Sequence, residues 1–441
     1  MSHPLDRRRF LAVTGATALA GCNFLSNDEP TYVDGERLRE MAREDAPTVE
    51  ETLPVRIEES LVAEFVTRAE DLLAETPGTF DAEAIPNGVI RQRLNQHADA
   101  TRERLEEVSQ SESPYRRLSI AGDARSDARE VHGAWRAIDE GLTIEDVGAD
   151  APTLRDEAHE FAREWTYVGE IPARALRVHA EIEQQVYAAV QFTDPERYEP
   201  AEGTNPLDIG EAAADVERSR VALITARHLL ERFQGALDEG ADLRDRFAAV
   251  RRTLETRREE QVASLPEQDG DDGSAWLVDR DVGRTAGFLA LQELYGDAKR
   301  LRRYSGEYLG PTLAQDIVHR TRSLVYLRAF EHLRERIKGG DDVAVETAED
   351  VVELRDLAVM EVGAAHDGDS APELTNELLP GVAVQVEWAD SRFSDPPGGN
   401  GEFTVTEANH NAADYVHVAE VCAALPDVCD SVTASLHNGT A

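Results

Sequence analysis

RIEESLVAEFVTRAEDLLAE, residues 56–75, is the stretch whose reading decides the fold class. Ile57, Leu61, Phe65, Ala69 and Leu72 recur three or four residues apart, with Glu, Asp and Arg between them. Such spacing puts the apolar side chains on one face of a helix, whereas a strand would require strict alternation.

The same pattern continues outward in both directions. Helices are predicted at about 91–108, 120–139 and 150–165, the last with Asp150 as cap and Pro152 in its first turn. Another runs from the Gly169–Pro172 region to Phe192. The turn-like stretch TDPERYEPAEGTNP follows, and helices resume at about 208–238, 241–265, 279–303, 311–338, 346–365, 373–388 and 406–426. PEQDGDDGSA (266–275) and SRFSDPPGGNGEF (391–403) read as loops. In 311–338, Ile317, Val318, Leu324, Val325, Leu327 and Phe330 cover more than one side, which predicts a helix buried on several faces.

Strand signals are few. GVAVQVEW (381–388) alternates, and GEFTVTE (401–407) would pair with it as a short C-terminal β-hairpin; a helix is favoured for the first because it continues a helical stretch. A parallel α/β domain needs several buried Val/Ile-rich strands, and these are missing. The expected class is therefore all-α: a multi-helix bundle or an array of helical hairpins, with that one hairpin as an open addition. The expected division is 1–21, an export signal; 22–32, a lipidated tether; 33–200, an N-terminal helical domain; and 201–441, a C-terminal helical domain.

Composition narrows the partners. The 441 residues carry 87 acidic against 46 basic side chains, a formal charge of −41. Lys299 and Lys338 are the only lysines. Dense carboxylates hold water and keep a protein soluble where salt screens their repulsion. Nucleic acid is excluded as a nonspecific partner, since it demands a cationic footprint.

The chain opens MSHPLDRRRFLAVTGATALAGC. Arg7, Arg8 and Arg9 precede an apolar, small-residue run of about 12 residues, too short for the ~20 that span a bilayer. RRRFL (7–11) resembles the twin-arginine export signature, and LAGC (19–22) resembles a lipoprotein processing box. With the acidic composition, the chain resembles a twin-arginine-exported lipoprotein of a halophilic archaeon. The resemblance covers the leader and composition only. It implies cleavage before Cys22, a two-chain lipid on that thiol, and attachment to the outer face of the cell membrane.

Export bears on the other cysteines. Cys422 and Cys429 lie seven apart, about 10.5 Å of rise on a regular helix, beyond the ~7 Å between Cα atoms that a bridge allows. Pro426 between them is expected to break the helix and let the chain fold back, so an external disulfide is expected. Asn438 opens an N-glycosylation triplet, Asn438-Gly439-Thr440.

Candidate metal ligands are helix-borne. His179 and Glu183 are four apart and share a face, as do His332 and Glu335 at three apart. In NHNAADYVHV, His410, Asp414 and His417 form an H-x-x-x-D-x-x-H trio on one helical face. A divalent metal would need such side chains to converge from several helices. No H-E-x-x-H motif, EF-hand loop, G-x-S-x-G elbow or glycine fingerprint for nucleotides is present. Trp135, Trp165, Tyr167, Tyr187 and Phe192 flank the central histidines, and such aromatics suit either helix packing or a ligand groove. The expected function is non-catalytic: a membrane-anchored extracytoplasmic protein that binds a partner protein of the envelope or a small solute. A metal-binding module or metal-dependent enzyme is the first alternative, and a structural envelope protein the second.

Overall fold

The structure, a computed structural model, describes residues 31–201, 203–267, 275–300, 312–394 and 401–438. Cys22 and the leader lie outside the described residues. So do the tip of the acidic 266–275 loop, Tyr304, Tyr308, and Gly439-Thr440 of the glycosylation triplet. The protein is all-α, and the described residues contain only two small antiparallel strand pairs. Among the described residues no helix is long and apolar enough to cross a membrane.

The first half contains α1 (Gly35–Met41), α2 (Glu59–Ala74), α3 (Gly88–Glu107), α4 (Pro114–Asp139), α5 (Ile144–Gly148), α6 (Ala151–Glu164), α7 (Pro172–Gln191) and α8 (Pro206–Gly235). Local chemistry starts most of them. Asn87 Oδ1 accepts from the Val89 and Ile90 amides, and Ser113 Oγ from the Arg116 amide. Thr143 with Asp146 and Asn205 with Asp208 form reciprocal capping boxes. Pro114, Pro172 and Pro206 occupy first turns, where a missing N–H costs nothing. The helix α4 packs against α2, α3 and most extensively α8. Two glycines allow that approach: a Cβ on Gly210 would meet the Glu130 carbonyl at 2.6 Å, and one on Gly133 would meet Ala213 Cβ at 2.6 Å.

The second half contains α9 (Arg244–Ala263), α10 (Ala275–Val278), α11 (Ala286–Lys299), α12 (Leu313–Lys338), α13 (Ala348–His366), α14 (Pro372–Leu378), α15 (Pro380–Ser394) and α16 (Val405–Asn438). The last is its axis, packed by α11, α12, α13 and α15.

Two expectations are corrected and one open alternative is closed. Residues 380–394 are helical, as favoured, so the possible C-terminal hairpin does not form. Instead Phe403–Thr404 pairs antiparallel with Tyr32–Val33, with Val33 opposite Phe403. The predicted break at Pro426 is also absent. Pro426 removes one helical hydrogen bond, yet α16 continues, because Leu425, Val428, Cys429 and Val432 around it are buried. Cys422 and Cys429 therefore stay two turns apart as buried free thiols, and the expected disulfide is not formed. Burial pushes the Cys429 thiol up to about 12.

The halves interlock. The N-terminal strap at residues 31–46 belongs physically with the second half. Besides the strand pair, α1 packs on α13 and α15, and Arg39 Nη1 donates to the Gly401 carbonyl at 3.0 Å. Helix α8, placed by the expected 200/201 division in the C-terminal domain, packs on α4 and α7. One apolar core runs from Val33 to Leu436 through both halves.

Candidate ligand site between the two halves

The seam is built on α7. Pro172 starts this helix directly after β2 (Val168–Gly169), which pairs antiparallel with β3 (Ala241–Asp242) at the head of α9. Gly169 is required there, because a Cβ would lie 2.4 Å from Ala175 Cβ. The turn before β2 brings Trp165 and Tyr167 over the face of α7 that carries His179 and Glu183.

His179 is fully buried, and its ring lies within aromatic contact of Trp165, Tyr167, Phe233 and Phe247. Trp165 Nε1 donates to Nδ1 at 3.0 Å. An indole N–H can only donate, so the imidazole proton sits on Nε2, 2.9 Å from the Val168 carbonyl that accepts it. Burial pushes this imidazole down to about 4. Both nitrogens are engaged, so His179 is a neutral structural anchor and not the metal ligand expected.

Glu183 is equally committed. Its Oε1 accepts from Tyr167 Oη (2.5 Å) and the Ala314 amide (3.0 Å), and its Oε2 accepts from the Gln315 amide (2.6 Å). Those amides open α12, whose own cap position, Thr312, makes no side-chain cap bond. A carboxyl from the first half thus caps a helix of the second. Burial pushes the Glu183 carboxyl up to about 8, against the opposing pull of its three donors. Beside it on α7, burial raises Glu181, while across the seam burial lifts Glu377 to about 7 against the pull of Arg177.

A cavity of about 110 Å³ opens beside this cap, lined by Trp165, Tyr167, Glu183, Val186, Arg244 and Thr312. One water needs ~10–15 Å³ on that measure, so several waters or a molecule of a few heavy atoms fit. The Arg244 guanidinium lies over the Tyr167 ring, 5.0 Å from its centroid, and pairs with no carboxylate among the described residues. The cavity therefore offers aromatic walls, a hydroxyl and an exposed cation.

The C-terminal trio is not brought together as expected. His410 is exposed on α16. Asp414 pairs with Arg392 of α15 at 3.2 Å. His417 is buried and turns toward α11, where Glu293 and Asp297 meet it. Nothing in the local sequence linked 293 and 297 to 417; only the packing of α11 on α16 does so. His332 pairs with Glu420, which raises it, and not with Glu335. Asn438 ends α16 and is exposed.

The two halves correspond to two families. Residues 60–240 are similar to the family described as Domain of unknown function (DUF8262), and residues 244–434 to the family described as Domain of unknown function (DUF8264). Their division falls at β3, beside the cavity mouth. No curated protein and no solved structure matches the chain.

Proposed function

We propose that the protein is a lipid-anchored receptor on the outer face of the membrane that binds a small organic anion between its halves and does not transform it. The observation that carries this reading is the seam cavity, where the exposed Arg244 cation lies over Tyr167 with no carboxylate partner among the described residues, in a chain of formal charge −41. An exposed guanidinium over an aromatic wall attracts a small anion that the surrounding acidic field otherwise repels. The Thr312 hydroxyl supplies a second polar contact, and Trp165 and Val186 take a short apolar tail. His179 and Glu183 are held by structural hydrogen bonds, which leaves them to shape the site.

Calorimetric titration in concentrated salt with acetate, propionate and lactate tests the reading. Saturable binding of at least one is expected, weakened by Arg244→Ala and blocked by Val186→Phe, which fills the cavity. Absence of binding by all three, or binding that Val186→Phe leaves unchanged, sinks it. The anchor is supported by the RRRFL and LAGC segments. Cys22→Ser is expected to move the chain from the membrane fraction to the medium; retention in the membrane would refute a lipid on that thiol. A second reading, metal binding, is favoured by the meeting of Glu293, Asp297 and His417.

A further inference from the structure

We propose that Glu293 and Asp297 of α11 and His417 of α16 form a site for a divalent first-row transition ion of the zinc or cobalt type. The site shares no residue with the seam cavity and stands independently of it.

The two carboxylates are four residues apart, hence on one face of α11, and that face packs on α16. One ligand atom from each of the three side chains lies within 4.8 Å of the others. Around a tetrahedral ion with bonds of about 2.0–2.2 Å, ligand atoms lie about 3.3–3.6 Å apart. Asp297 Oδ2 and His417 Nε2 already stand at 3.4 Å; the third ligand atom must draw in by at most about 1.5 Å, which the exposed Glu293 side chain supplies by rotation.

The second observation is His417 itself. It is 2% exposed, and neither ring nitrogen makes a hydrogen bond among the described residues. Its Nε2 lies 3.4 Å from Asp297 Oδ2, within ion-pair range but not aligned as a hydrogen bond. Leaving a buried imidazole without a partner costs folding stability. An ion between Nε2 and the two carboxylates removes part of that cost.

The surroundings agree. The other Asp297 oxygen, Oδ1, faces Arg300 at 3.5 Å, which leaves Oδ2 for the site. Asp414, one turn before His417, is held by Arg392 and adds negative charge beside the site. Two carboxylates balance a divalent charge, and the imidazole selects a borderline transition ion over magnesium or calcium. With three protein ligands and Glu293 exposed, at least one coordination position faces water.

The test is titration of the full chain with Co²⁺ in concentrated salt, followed by visible absorption. A single saturable equivalent is expected, displaced by Zn²⁺ and not by excess Mg²⁺ or Ca²⁺. Glu293→Gln, an exposed change that leaves the core intact, is expected to weaken Co²⁺ binding at least about tenfold, and Asp297→Asn likewise. His417→Gln should abolish it, with circular dichroism confirming the fold. The proposal is overturned by no saturable binding, by displacement with Mg²⁺, which marks diffuse association with surface carboxylates, or by wild-type binding in both carboxylate variants.

Discussion

Glu183→Ala is expected to destabilise the protein by about 3–5 kcal/mol, the largest effect of any single substitution at the seam. The substitution strips the acceptor from the Ala314 and Gln315 amides, both buried, and from Tyr167 Oη. Each buried donor left unsatisfied costs about 1–3 kcal/mol, and Tyr167 alone can turn to water in the cavity. Glu183→Gln keeps one carbonyl acceptor and should lose less. Denaturant unfolding at fixed salt checks both; a loss below about 1 kcal/mol for the alanine variant would show that the cap does not hold the halves together.

The same residue sets a pH dependence. In the unfolded chain Glu183 ionises near its ordinary 4.5, while in the fold it holds its proton up to about 8. The folded state therefore binds more protons between those values, so the contribution is fully present below about 4.5 and is lost as pH rises to about 8. Glu377, lifted to about 7, acts with the same sign. Stability is expected to fall across this window, and Glu183→Gln should flatten the slope.

Arg355→Ala is the second large effect, again about 3–5 kcal/mol, because it leaves a buried charge without its partner. Arg355 donates to both oxygens of Asp390, from Nε at 2.8 Å and Nη2 at 3.0 Å, and Nη2 also donates to the Glu44 and Asp45 carbonyls at 3.0 and 3.3 Å. Tyr415 Oη donates to the same Asp390 at 2.5 Å. The guanidinium thus ties α13, α15, α16 and the N-terminal strap at one point. Lysine cannot reproduce that planar fork, so Arg355→Lys should rescue little. Hydrogen exchange supplies the specific readout: protection should drop at residues 31–46 and at the Val33–Phe403 pairing before it drops in α4 and α8. Unchanged protection in the strap would show that Arg355 does not fasten it.

Most helices were legible because their signals are local. The apolar spacing of 56–75 and the Pro172 start act within one or two turns, and the observed bounds fall close to the predicted ones. Where a local signal failed, burial had overridden it. Pro426 reads as a breaker, but the packed faces of α16 carry the helix through it. Residues 381–388 alternate like a strand, yet Val382, Ala383, Val386 and Ala389 are buried along a helix between α13 and α16.

The sites were less legible, since they join residues far apart in the chain. His179 and Glu183 were visible as a pair on one helical face, but their roles depend on Trp165, Tyr167 and the amides of α12. His417 was visible, while its companions were not His410 and Asp414 but Glu293 and Asp297. By itself the sequence determined the helical class, the positions of most helices and the acidic surface, because periodicity, capping and charge act over a few residues. Only the tertiary structure decided that the N-terminal strap docks on the second half, that a carboxyl of α7 caps α12, and that α11 faces α16. Those outcomes turn on which buried surfaces and unsatisfied polar groups meet across the folded chain, and no local pattern encodes that meeting.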